Sequence, residues 1–147
     1  MRLLAAPNEA PAPNASEEDF EAHRLALGLP NVAADAGEGQ TFLLEANFDE
    51  LHGVDFQKGC YIGQELASRM KRKDGLRKRL LPVIVDGPLP APGTEIRSGA
   101  SLIGDMRSGM GNRAIAYIKV DRWRAATEPL TAGEATLTID WPDWIPQ

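Results

Sequence analysis

The chain has 147 residues, 43% of them hydrophobic, and a formal net charge of −5. That length can bury a core as one domain or two small ones, and no run approaches the ~20 apolar residues needed to span a bilayer. The opening "MRLLAAPNEAP" has one arginine and a very short apolar stretch, a poor secretory signal. One cysteine cannot form an intrachain disulfide, which fits a reducing compartment, so a cytoplasmic location is expected.

The modest net charge hides an asymmetry. Residues 69–79, "RMKRKDGLRKR", hold seven basic side chains and one acid. Nine basic and twenty acidic residues remain elsewhere, a balance of −11. Such a run reads either as a solvated helix end and loop or as a docking patch for an anionic partner, RNA among them. It has no interleaved aromatics, so single-strand stacking is unsupported.

In chain order, the Pro- and Ala-rich residues 1–15 read as a strand end followed by an irregular linker. Ser16 with Asp19 three later predicts a helix N-terminus, and Glu17, Glu18 and Asp19 suit the positive end of its dipole. Gly28 and Pro30 end that helix, and Phe20, Arg24 and Leu27 share a face of it. Within 31–57, "TFLLEANF" predicts a short strand and "DELHGV" a helical turn. "GQELASRMKR" predicts a second helix, stopped by "KDG". From residue 76 the pattern changes to short β-type runs: "LRKRLLPVIVDG", "TEIRSG", "SLIGDMRSG", "NRAIAYIKV" and "EATLTIDW", separated by Gly-containing turns. "AIAYIKVDRW" lacks strict alternation and reads equally as helix. The expected fold class is α+β: a mixed α/β segment over 1–75, followed by a small antiparallel β-barrel over 76–147.

Cys60 stands between Gly59 and Gly63, two residues after Lys58 and just ahead of the second helix. A helix N-terminus and a nearby cation both favour the thiolate, so this is a candidate reactive thiol. The glycines permit unusual backbone or close approach to a ligand. Gln64 and Glu65 add an amide and a carboxylate to the first turn. Equally compatible is a small buried hydrophobe at position 60. One thiolate cannot hold an iron–sulfur cluster unaided, and neither zinc-type spacing nor a phosphate-binding glycine loop is present, so no stably bound metal is expected. His23 and His52 have no ligand pattern around them, and His52 is a weak candidate as partner base for the thiol.

"KGCYIGQE", Lys58 to Glu65, closely resembles the K-G-C-Y-x-G-Q-E signature of the YgfZ family. These are folate-binding, iron–sulfur-associated relatives of the glycine-cleavage aminomethyltransferase. Arg24, Gly28 and Pro30 resemble the family's R-x-x-x-G-x-P segment, "LIGDMRSG" its G-x-V-x-S barrel strand, and "LTIDW" its last strand. The resemblance runs from about residue 15 onward and aligns with the C-terminal part of the family.

What this resemblance implies is a tetrahydrofolate lying beside the signature loop. Cys60 would be the reactive group and Lys58 would tune it, while Gly59, Tyr61, Gly63, Gln64 and Glu65 would form the loop. Phe20, at the family's aromatic position, would stack on the pterin. Arg24 would pair with a folate carboxylate or fix the loop, and residues 69–79 would dock a client protein or a folate polyglutamate tail. The implied role is a folate-dependent accessory factor for iron–sulfur cluster assembly or repair, with iron–sulfur enzymes, including tRNA-modifying ones, as clients. Two alternatives stand beside it: a tetrahydrofolate-dependent aminomethyl or one-carbon transferase, and an RNA-binding module using 69–79.

Overall fold

A computed structural model describes residues 14–37, 39, 41–72 and 76–146. Three helices come first: α1 (Glu17–Ala26), α2 (Val32–Asp35) and α3 (Gln64–Arg72). Six strands and one more helix follow: β1 (Lys78–Asp86), β2 (Glu95–Ser98), β3 (Ser101–Met110), β4 (Arg113–Lys119), α4 (Val120–Arg124), β5 (Leu130–Ala132) and β6 (Ala135–Ile139). The strands close into an antiparallel barrel in the order β1-β4-β3-β2-β5-β6. The expected barrel is therefore present, and β1–β4 and β6 coincide with the predicted runs to within two residues at each end. Three residues between Pro129 and Gly133 are too short a pattern to announce β5.

Along β4, Ala114, Ala116 and Ile118 enter the barrel core, while Ile115 and Tyr117 meet a second cluster with Leu25, Ala46 and Leu80 outside it. Burial on both faces removes the polar alternation that marks a half-exposed strand. That is why "AIAYIKVDRW" is ambiguous as sequence. It is in fact both elements, a strand through Lys119 and a helix from Val120.

The capping box of α1 forms as predicted: Asp19 N–H donates to Ser16 Oγ, and Ser16 N–H to Asp19 Oδ2. Gly28 ends the helix at φ +68, and a Cβ there would lie 2.8 Å from Pro82 Cγ of β1. It is glycine for both its conformation and its contact with the barrel.

"TFLLEANF" is not a strand. It forms successive turns, with Ala46 N–H bonded to Phe42 O and Leu51 N–H to Asn47 O. Leu44, Glu45, Ala46 and Asn47 are buried consecutively, and the N–H groups of the segment that bond to backbone oxygens reach back along the same stretch instead of across to a neighbouring strand. Asn47 adopts φ +63, holding Leu80 O through Nδ2 and receiving Arg79 Nη1 at Oδ1. The predicted turn at "DELHGV" is observed. All but the last two residues of the predicted strand end and linker over 1–15, and the "KDG" stop, lie outside the described residues.

Candidate functional site

The signature loop begins on a side-chain-stabilised turn. Asp55 Oδ1 accepts the backbone N–H groups of Gln57 and Lys58, at 2.8 and 3.3 Å. The chain then runs outward through Gly59 and Cys60, and both are exposed. Cys60 is therefore not the small buried hydrophobe that sequence equally allowed. Nor does it sit in the first turn of a helix. It lies four positions ahead of Gln64, the first residue of α3, beyond the reach of the helix-end field.

Gly63 makes the turn into α3 at φ +88, a conformation costly for any side chain. Gly59 has no such φ, and a Cβ there would meet nothing within 4 Å. Lys58 places its ammonium 5.4 Å from the centroid of the Tyr61 ring. The Tyr61 hydroxyl is buried without a hydrogen-bond partner. Gln64 is half-buried, and exposed Glu65 pairs with Arg69 at 2.6 Å within the same helix. Tyr61, Gly63, Gln64, Glu65 and Arg69 line a shallow groove of about 530 Å³. Beside it, Phe42, Leu43, Leu66, Ala67 and Met70 line an apolar groove of about 200 Å³.

Phe20 and Arg24 diverge. Phe20 is 61% exposed, with its ring available to stack. Arg24 is 6% exposed and all five of its N–H donors are engaged: two to Glu21 Oε2, and one each to Leu29 O, Asp35 Oδ2 and Ser108 Oγ. Its guanidinium joins α1, α2 and the barrel, and no donor is left for a carboxylate from solution.

Sequence reading missed the partner that organises this joint. Asp35 is fully buried, accepting Asn31 N–H and Arg24 on Oδ2 and the Ser108 N–H on Oδ1. Ser108 reaches it because the β3–β4 register shifts between Met106 and Gly109, so that two residues of β3 oppose one of β4. Such a bulge re-aims a side chain out of the ladder. The G-x-M-x-S spacing of Gly104, Met106 and Ser108 was its visible trace.

A second joint binds the turns to the barrel. Tyr117 Oη donates to Glu45 Oε2 at 2.6 Å, and Leu80 N–H to Glu45 O at 2.8 Å. Burial, followed by this bond to a carboxylate, pushes the Tyr117 hydroxyl well above the ordinary phenol range. Burial likewise raises the Asp105 carboxyl, with Arg107 opposing it.

The basic run 69–79 is no uniform patch. Arg69 pairs with Glu65, Lys71 with Asp49 and Arg79 with Glu50, while Lys73 and Asp74 lie outside the described residues. Among the described residues no three His, Cys, Asp or Glu side chains form a metal-holding group, and no helix is long and apolar enough to cross a membrane.

Comparison with known proteins adds a second line. The mouse protein "Iron-sulfur cluster assembly factor IBA57, mitochondrial" is 33% identical over 137 residues, covering 88% of this chain and 38% of that protein. Its human counterpart is 33% identical over 135 residues, covering 87% and 38%. A Dictyostelium discoideum homologue is 45% identical over 69 residues, covering 47% and 17%. The chain thus spans well under half the length of these relatives. All three are named as mitochondrial, which overturns the expectation of a cytoplasmic location. The physical reason is that a lone cysteine lacks an intrachain partner in every compartment, so its count never separated cytosol from organelle. Residues 77–147, which hold all six strands, match the family model described as "CAF17, C-terminal beta-barrel domain", and most of the chain is similar to the relatives named above as IBA57 iron–sulfur cluster assembly factors.

Proposed function

We propose that this chain is an accessory component of iron–sulfur cluster assembly or repair, and that Cys60 is its working group. The observation that carries the reading is the exposed thiol at the tip of the K-G-C-Y-x-G-Q-E loop, in a chain whose homologues are named assembly factors. The cluster is cargo here. One thiolate supplies one of its usual four ligands, so Cys60 acts as a transient ligand while donor or client proteins supply the rest. Lys58 and Tyr61 flank the thiol and shape its surroundings, and Gly63 sets the turn that presents it.

The same reading places the helical segment in a YgfZ-type, aminomethyltransferase-like folate domain, with tetrahydrofolate as its ligand. The fit is partial. Phe20 offers an exposed ring face for a pterin, and the unpartnered Tyr61 hydroxyl suits a polar ligand atom. Arg24 does not fit the role of carboxylate clamp, since its donors are engaged. When bound, a reduced folate supplies one-carbon or reducing chemistry, and this chain's residues serve to hold and orient it. Among the described residues, Arg72, Arg77 and Lys78 form no ion pair with a carboxylate, and they would face iron–sulfur client proteins.

The test is complementation. Cells lacking their own assembly factor of this kind receive the wild-type protein or Cys60→Ser, and the activity of a [4Fe–4S] enzyme is assayed. Restoration by wild type alone is expected. Equal restoration by both would remove the thiol from the mechanism and leave Phe20 and the folate as the remaining claim.

A further inference from the structure

We propose that Lys71 is a positioning residue, a clasp that ties the two ends of the Cys60 loop together and couples the loop to the barrel. Its ammonium lies 3.0 Å from Asp49 Oδ2 and 3.2 Å from Oδ1, and 4.2 Å from the centroid of the Phe56 ring. Asp49 and Phe56 precede the signature loop, and Lys71 belongs to the last turn of α3, which follows it. One charged group therefore spans the base of the exposed turn.

The neighbouring charges do not substitute for it. Arg69 pairs with Glu65 one turn back in its own helix, which fastens α3 to nothing else. Lys58 stays over Tyr61, inside the loop. The apolar support beneath α3 is thin: Ala67 is buried, but Leu66 is 47% exposed beside the open groove of Phe42 and Leu43.

On the other side the path is firm. Arg79 of β1 donates to both Asn47 and Glu50, which fixes the 47–50 turn on the barrel. Barrel, Arg79, the 47–50 turn, Asp49, Lys71 and α3 form one continuous chain of contacts ending at the Cys60 loop. Sequence offered Lys71 as part of either a solvated helix end or a docking patch, whereas the structure uses its charge internally. Both contacts require a cation, so acylation of Nζ would release the loop and arginine would keep it closed.

The importance of the loop rests on the function proposed for Cys60, but the clasp is tested without it. Hydrogen exchange is measured in the 147-residue protein at four bonded amides of the region: Gln57, Lys58, Gln64 and Ala67. Lys71→Gln should speed their exchange about three- to tenfold, the combined worth of one exposed ion pair and one cation–π contact. Lys71→Arg should restore the wild-type rates, and the barrel amides should not change in either variant. Wild-type exchange in Lys71→Gln, or an Arg variant that behaves like the Gln variant, overturns the proposal. Neither result alters the Cys60→Ser comparison, and that comparison's failure leaves the exchange result standing.

Discussion

The backbone N–H of Ser108 donates to Asp35 Oδ1 at 2.9 Å, across 73 positions of sequence. A strand amide that would ordinarily serve the sheet ladder is thus satisfied by a helix side chain. With Arg24 on the other carboxylate oxygen, this contact holds the helical segment and barrel as one body. Removing Asp35 leaves a buried guanidinium short of an acceptor and a buried N–H without one. Asp35→Ala should therefore cost about 3 kcal/mol, near the lower end for breaking a buried ion pair, while Asp35→Asn costs less. Urea unfolding of both variants checks the order.

Gly28 and Pro82 give a prediction with an internal control. Gly28→Ala meets a left-handed backbone and a Cβ contact of 2.8 Å with the Pro82 ring. A loss of roughly 2 kcal/mol is expected, combining the strain of a non-glycine residue at positive φ with the clash. Pro82→Ala in the same chain should relieve the clash and leave the strain. A double-mutant cycle showing strict additivity would refute the contact.

Tyr117 sets the alkaline limit. The folded protein keeps the phenol proton where the unfolded chain has lost it, because burial and Glu45 both disfavour the anion. The contribution is complete below about pH 10, the unfolded phenol value, and stability falls as pH rises from there. Tyr117→Phe should flatten that fall, at a cost of about 1–2 kcal/mol near neutrality for the lost bond to Glu45. Unfolding curves on either side of about pH 10 measure both effects.

Cys60→Ser should leave stability within about 0.5 kcal/mol of wild type, because the side chain is exposed. Native protein should also react with a thiol reagent without prior unfolding. A thiol protected until denaturation would contradict the exposed turn.

Much of the barrel was legible because β2, β3 and β6 carry turn-bounded β-type runs. The capping box of α1 was equally plain, since Ser16 and Asp19 satisfy one another locally. Less visible were the elements fixed by distant partners. Residues 41–48 look like a strand until Glu45 and Asn47 are seen to serve Leu80 and Tyr117 of the barrel. Asp35, fully buried, lies in a stretch where the sequence pattern offered no element at all. Within the site, Cys60 stood out by its glycines and neighbouring lysine and by the signature, while its exposure became evident only from the fold. Arg24 was visible as a motif residue, yet its partners became evident only from the fold.

The register shift in β3 has one more consequence. A barrel with an unbroken ladder is a self-sufficient module that can be copied, fused or lost without regard to what precedes it. The extra residue between Met106 and Gly109 forfeits some of that independence by turning Ser108 out to face Arg24 and Asp35. Deleting one residue there would give a more regular sheet and an orphaned helical segment. The irregular strand marks the place where the barrel gives up a ladder contact to hold the helical segment.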